Sequence, residues 1–211
     1  MKRVSRMRSP EWVDGLREFC SSHLKPTSTI VEIGCFAGES TEVFAQFCGR
    51  VFAVDPWDEN YAELILAGCD SPVIRDYVER VGVECMSAIE RMFDERTKAY
   101  PNVVKMRMTS SAACAQFRAE SVDCVYIDAI HTREAVLEAA YEWLPMLRAG
   151  GIMAGHDYCL SDWPGVVAAV DEMFGGPDEI FPDTSWMVGW EKVGNLGNLC
   201  KTRPLLSGMN R

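Results

Sequence analysis

The chain has no long apolar run, no paired cysteines, few histidines and a deficit of positive charge, and each shortage closes off a class of function. Nowhere do consecutive apolar residues approach the roughly 20 that cross a bilayer, so no membrane span is expected. Lys and Arg number 21 against 31 Asp and Glu, a net charge of −10. A dedicated nucleic-acid binder needs a basic face to replace phosphate counterions, so no nucleic-acid partner is expected. Nine cysteines fall at irregular spacings without any C-x-x-C. That pattern fits buried, reduced thiols in a cytoplasmic protein better than a disulfide framework or a zinc site. The opening MKRVSRMRS is basic, but no apolar core follows it, so it does not read as a secretory leader. It reads as a frayed tail or as a weak contact for an anionic partner.

What is present is one domain's worth of apolar sequence: 211 residues, 48% apolar, enough for a single well-buried core. Apolar positions Trp12, Val13, Leu16, Phe19 and Cys20 predict a helix over Glu11 to Leu24, ending before Pro26. Strands are predicted at Thr29–Ile33, Val51–Val54, Val103–Met108, Ser121–Ile127 and Ile152–Ala154. Two more are expected within Trp186–Val193 and near Leu199–Thr202. Helices are predicted at Ser40–Cys48, within a mostly helical stretch from Trp57 to Pro101, at Ala112–Phe117, at Arg133–Leu147 with Pro145 kinking its end, and at Val166–Phe174. Short, unalternating apolar strands interleaved with helices imply an α/β fold. Its sheet is doubly wound, Rossmann-like, mostly parallel and covered on both faces, with an antiparallel last strand. Residues 1–26 are an N-terminal helix or lid, 27–203 the main domain and 204–211 a tail. The apolar N-terminal helix also offers a homodimer contact.

The densest signal is Val31 to Thr41, VEIGCFAGEST. An apolar strand ends in Glu32, then Gly34, then Gly38, and a helix follows. Glycines here allow backbone and ligand to approach too closely for a β-carbon. The helix then begins with unpaired N–H groups aimed at whatever the loop holds. Gly34-Cys35-Phe36-Ala37-Gly38 lacks the central glycine of the dinucleotide fingerprint G-x-G-x-x-G. It also lacks the Lys-Ser/Thr of a phosphate loop.

Ligands of open α/β sheets bind beyond the carboxyl ends of the strands, and every predicted parallel strand ends in polar residues. The first gives Glu32 and the glycine loop, the second Asp55, the third Thr109-Ser110-Ser111. The fourth gives Asp128 and then His131, the fifth His156 and Asp157. Asp55 follows the loop by about 20 residues, where a carboxylate can accept from both ribose hydroxyls, or it initiates an Asp-Pro turn. Ser110 and Ser111 either bond an adenine edge or cap a helix. Trp57 stacks on a base, roofs the pocket or is simply buried. His131 is either a proton acceptor or a helix-start residue bonded to a carbonyl. His156 is a metal ligand, a substrate contact or a buried structural histidine. Tyr158 and Trp163 are candidates for an acceptor site, Trp186 and Trp190 for core, and His23 for the surface.

The loop E-x-G-x-x-x-G resembles the first motif of class I S-adenosylmethionine (SAM) methyltransferases. The stretch Val122 to Tyr158, VDCVYIDAIHTREAVLEAAYEWLPMLRAGGIMAGHDY, narrows the resemblance. It is similar to the small-molecule O-methyltransferase group that includes macrocin-type sugar O-methyltransferases and cephalosporin-hydroxylase-like proteins. These carry I-D-x-x-H, a helix, L-x-x-G-G and G-H-D-Y in this order. Catechol-type O-methyltransferases are similar more distantly. They have a serine where Ser40 stands and an acidic metal ligand at the position of Asp128. Their lysine base falls where this chain has His131, and a carboxylate and an amide fall where it has His156 and Asp157.

The resemblance covers roughly Ile30 to Lys192 and implies seven strands in the order 3-2-1-4-5-7-6. It implies SAM as cofactor, with Glu32, Gly34, Cys35, Gly38, Ser40, Asp55, Trp57, Ser110, Ser111 and Asp128 around it. A small hydroxylated acceptor would lose its proton to His131, beside Asp128. Asp128 and Asp157, with His156 as a further candidate, would hold a divalent ion, Mg²⁺ or Mn²⁺. Two other readings remain open on the sequence. One is a SAM- or nucleoside-binding module without transfer. The other is a metal-dependent hydrolase or oxygenase built on His131, His156 and Asp128 or Asp157.

Overall fold

The structure, a computed structural model, describes residues 10–60, 67–72 and 85–194. Its strands are β1 (Thr29–Ile33), β2 (Arg50–Asp55), β3 (Val103–Arg107), β4 (Val122–Ile127), β5 (Leu147–Gly155), β6 (Glu179–Ile180) and β7 (Trp186–Val188). They form one seven-stranded sheet in the order β3-β2-β1-β4-β5-β7-β6. The first five run parallel, and β7 pairs antiparallel with both β5 and β6. The helices are α1 (Pro10–His23), α2 (Glu39–Phe47), α3 (Met86–Thr97), α4 (Ser110–Cys114), α5 (Arg133–Trp143) and α6 (Pro164–Phe174).

Successive side chains of a strand point to opposite faces, and two cores follow from that. Val31, Ile33, Val125 and Ile127 pack with Val136, Trp143, Val166 and Val170 of α5 and α6. Ile30, Cys124 and Tyr126 pack with Leu16 and Phe19 of α1 and with Val43 and Phe44 of α2. Because both faces are covered, the central strands β1 and β4 carry no regular polar alternation and read as largely apolar runs, while the edge strand β3 stays partly exposed and carries Lys105 and Arg107. The same alternation puts Glu32 on the Ile30 face, directly under the start of α2.

Several boundaries differ from expectation. The strand expected at Ile152 begins at Leu147, and Gly150-Gly151 lies in an irregularity of that strand. There Val122 pairs with Leu147 and Cys124 with Ile152, so Gly150, at φ 80, sits in a bulge and not in a turn. The helix from Arg133 stops at Trp143 and tightens into a 3₁₀ turn over Leu144–Met146, because Pro145 has no N–H to continue the ladder. The cap of α4 is Thr109, which accepts from Ala112 N at 3.3 Å, so the helix starts at Ser110 itself. The strand expected from Trp186 ends at Val188, and residues 190–194 are helical. The strand expected near residues 199–202 lies outside the described residues. No described helix is long and apolar enough to cross a membrane.

Candidate functional site

The rim formed by the carboxyl ends of β1, β2, β4 and β5 gathers most of the polar residues singled out above. Gly34 follows β1 at φ 87, and a β-carbon there would lie 2.1 Å from the main-chain oxygen of Asp128. No L-residue with a side chain fits, so the glycine loop and the β4 tip touch through bare backbone. Asp128 N donates to Ile33 O at 2.8 Å and closes the seam.

Glu32 is fully buried. Ser40 Oγ donates to one of its carboxylate oxygens and Thr41 Oγ1 to the other, at 2.5 Å for Thr41. The carboxylate is thus a clasp between β1 and the first turn of α2. Ser40 spends its hydroxyl there, and Thr41 is a partner the motif did not announce. Gly38, the N-cap of α2, has φ 79. Arg96 of α3 reaches the same loop: its guanidinium donates to Ala37 O and lies 3.5 Å from Glu39 and 3.7 Å from Glu42. Nothing in the sequence around Arg96 marks it, since it stands among other charged residues of an amphipathic helix.

Asp55, at the end of β2, is drawn into the glycine loop. Its Oδ2 accepts from Phe36 N at 3.0 Å and its Oδ1 from Trp57 N at 2.8 Å. Burial pushes its carboxyl above the ordinary value, and the two N–H donors oppose that rise. Trp57 is 1% exposed and locked. It takes up φ 42, donates from Nε1 to Phe36 O at 2.8 Å, and packs on Phe93 with ring centroids 4.9 Å apart. It braces the loop from within the core. Cys35 is buried as well, and burial raises its thiol well above the usual range, so it offers the loop only its backbone.

Ser110 and Ser111 point elsewhere. Ser110 Oγ accepts from Trp143 Nε1 at 2.9 Å, and Ser111 Oγ donates to the carboxylate of Glu142 at 2.7 Å. Both hydroxyls tie α4 to α5.

Beyond β4 and β5, three side chains meet. His131 Nε2 lies 2.8 Å from Asp157 Oδ2 and 3.7 Å from Asp128 Oδ1. Burial disfavours the charged ring, but the neighbouring carboxylates of Asp128 and Asp157 outweigh it and raise the His131 pKa to about 9. Burial raises Asp157 too, yet His156 and His131 more than compensate and hold its carboxyl far below the usual range. The His131 ring packs on Trp163, centroids 4.1 Å apart. His131 precedes the cap of α5, Thr132, and is therefore outside the helix. Donor atoms of Asp128, His131 and Asp157 all lie within 4.8 Å of one another. Two carboxylates and one imidazole so close suit a hard or borderline divalent cation. They are the reverse of the two-imidazole, one-carboxylate triad of an oxygenase. His156 stands behind this group, with Nδ1 3.0 Å from Asp157 Oδ1. Tyr158 turns away and donates to Asp171 at 2.7 Å. Trp186 is core, and His23, in the last turn of α1, lies 2.8 Å from Glu179.

Residues 31–158 match a family model described as a methyltransferase domain. Among solved structures, an rRNA methylase from Streptococcus thermophilus is similar at 15% identity over 88% of this chain and 97% of that one, with a TM-score of 0.54. The precorrin 8w decarboxylase of Methanobacterium thermoautotrophicum is similar at 14% identity over 88% of each chain, TM-score 0.54. At such identities the likeness is one of fold. The chain spans about half the length of the YcgJ protein of Bacillus subtilis, covering 67% of this chain and 49% of that one at 15% identity and a TM-score of 0.43. Among curated proteins none matches.

Proposed function

We propose, from the premise that the chain belongs to the methyltransferase-domain family whose model spans residues 31–158, that it moves a methyl group from SAM to a hydroxyl of a small molecule. The observation that carries this reading is the contact of Gly34 with the main-chain oxygen of Asp128. It sets the cofactor loop within one residue's reach of the cluster formed by Asp128, His131 and Asp157.

In this reading SAM lies across the loops after β1 and β2. The Gly34–Gly38 backbone and the first turn of α2 receive its methionine carboxylate, where unpaired N–H groups favour an anion. Glu32, clasped by Ser40 and Thr41, fixes the loop and supplies negative charge toward the ammonium group. Asp55 accepts from the ribose hydroxyls with the lone pairs that Phe36 N and Trp57 N leave over, and those donors favour a carboxylate that burial alone disfavours.

Methyl transfer from a sulfonium to oxygen is an in-line displacement: the new C–O bond forms as the C–S bond breaks, and S-adenosylhomocysteine leaves. The chain must align oxygen, carbon and sulfur, which supplies several kcal/mol, and remove the hydroxyl proton, typically worth 10²–10⁴-fold in rate. His131 takes that proton in its neutral form, held in place by Asp157 and by the face of Trp163. The two carboxylates that raise its pKa to about 9 in the metal-free chain would be offset by a cation bound to them, which favours the neutral ring. Asp128 and Asp157 would hold a divalent ion, Mg²⁺ or Mn²⁺, which lowers the pKa of a hydroxyl bound to it.

Calorimetry with SAM and S-adenosylhomocysteine tests the cofactor. Turnover of methyl-labelled SAM against hydroxylated sugars, phenols and polyketides tests the transfer. Failure to bind SAM at millimolar concentration refutes the reading. Binding without turnover on any acceptor leaves a SAM-binding module in its place.

A further inference from the structure

Behind Asp157 lies a buried polar strut that the proposed reaction does not use. His156 is 6% exposed and Asp183 is 1% exposed. The imidazole spans the two carboxylates: Nδ1 is 3.0 Å from Asp157 Oδ1, and Nε2 is 3.9 Å from Asp183 Oδ2. Asp183 is itself pinned. Ser185 donates to it from its backbone N–H at 3.2 Å and from its hydroxyl at 2.8 Å. Tyr126 of β4 meets the Ser185 hydroxyl at 2.7 Å. From the other side α1 closes through Gly15, where a β-carbon would lie 2.5 Å from Asp183 N.

Asp157 needs such support. Its φ of 65 is a left-handed backbone that a non-glycine residue keeps only where its surroundings over-determine it. Its two oxygens also face different ways, Oδ1 toward His156 and Oδ2 toward His131. The donor cluster comprises Asp128, His131 and Asp157. His156 Nδ1 lies farther from Asp128, at 4.0 Å, than from Asp157. Oδ1 is therefore the oxygen occupied from behind, and Oδ2 is the one presented to the cluster.

We infer that His156 is a positioning residue and not a metal ligand: lying between Asp157 and Asp183, it orients the Asp157 carboxylate so that Oδ2 faces His131 and the ion that Asp128 and Asp157 would bind. The inference rests on the metal-assisted reading above. A hydrogen bond to a ligating carboxylate fixes its rotamer before the ion arrives, and loss of such a partner typically lowers metal affinity 10–100-fold.

The test is Mn²⁺ binding by the full chain, read from the spin-resonance signal of free Mn²⁺, alongside SAM calorimetry. An asparagine side chain places an amide N–H where Nδ1 stands, whereas glutamine places it near Nε2. His156→Asn is expected to keep Mn²⁺ affinity within about threefold of wild type. His156→Gln should lose about 10–100-fold, both with unchanged SAM affinity and a native circular dichroism spectrum. Asp183→Asn should fall between them. Equal Mn²⁺ affinities for the Asn and Gln variants overturn the inference. So does a ¹⁴N modulation in the pulsed spin-resonance spectrum of the wild type that vanishes in His156→Asn, because that marks His156 as a ligand. No Mn²⁺ binding by wild type overturns this inference and the metal-assisted step, while intact SAM binding and turnover would leave methyl transfer standing.

Discussion

Gly34 and Asp128 meet through backbone alone: the Asp128 main-chain oxygen is 2.1 Å from where a Gly34 β-carbon would stand. Neighbouring strands β1 and β4 create the contact, and it joins the glycine loop to the acidic tip of β4. Gly34→Ala is accordingly expected to fail twice, through a forbidden φ of 87 and through collision with a backbone that cannot yield. Thermal unfolding should drop sharply and SAM binding vanish. Gly175→Ala is the control. Its φ is 70, with nothing within 4 Å of the added carbon, so it should cost only about 1 kcal/mol and leave SAM affinity alone. Similar losses in both variants would mean that the contact with Asp128 is unimportant.

Glu32→Gln should destabilise the chain by about 1–3 kcal/mol, because one oxygen that accepts a hydroxyl is replaced by a buried NH₂ facing the same donor. Ser40→Ala and Thr41→Val each leave a buried carboxylate oxygen with one donor fewer and should act similarly. Denaturant midpoints measure all three. If the Ser40 and Thr41 variants are as stable as wild type, the clasp is not what fixes the loop.

Asp55 and His131 should separate in kinetics. Asp55→Ala is expected to weaken SAM binding chiefly, since its partners are Phe36 N of the glycine loop and Trp57 N just after β2. His131→Ala should lower turnover by about 10²–10⁴-fold while SAM affinity hardly moves. Parallel loss of both quantities in the His131 variant would remove its role as proton acceptor.

The His131–Asp157 pair should make the metal-free protein's stability depend on pH in a defined direction. His131 is raised from 6.5 to about 9 on folding, so its contribution is fully present below pH 6.5 and is lost as pH rises through about 9. Asp157 is depressed, so its contribution is present above the unfolded carboxyl value of 3.8 and is lost on acidification. The plateau lies between about pH 4 and 6.5. The His131 shift, caused by Asp128 and Asp157 together, corresponds to on the order of 3 kcal/mol. The Asp157 shift, caused by His156 before His131, shares part of that interaction and is not added to it. In chelator, the gap in unfolding temperature between wild type and His131→Gln should shrink from pH 6.5 to pH 9. A constant gap would show that the ion pair is absent in solution.

Much of this arrangement was legible in the chain. The central parallel strands announce themselves because a sheet buried on both faces needs nearly continuous apolar residues, and the edge strand β3 by its Val103-Val104 start. The rim residues announce themselves because each of these strands ends in, or within a few residues of, a polar one. Strand β6 was not legible: Glu179 and Ile180 are both exposed and carry no pattern. The roles of Ser110 and Ser111 were not legible either, since whether a hydroxyl looks into the pocket or toward Trp143 and Glu142 depends on where α5 packs. Arg96 and Asp183 are charged residues in unremarkable surroundings. Arg96 meets Ala37 O only because α3 packs beside the glycine loop, and Asp183 meets His156 and Gly15 only through tertiary packing.

The sequence by itself determined the α/β alternation, the glycine loop and the set of polar residues at the strand ends, because local periodicity and turn chemistry are written in consecutive residues. Tertiary structure decided which oxygen meets which nitrogen. His131 and Asp157 lie on separate segments, and they come within 2.8 Å only because β4 and β5 pair in the register that sets Ile127 beside Gly155. Such a register follows from how two strands pack between two layers of helices, and no short stretch of either strand encodes it.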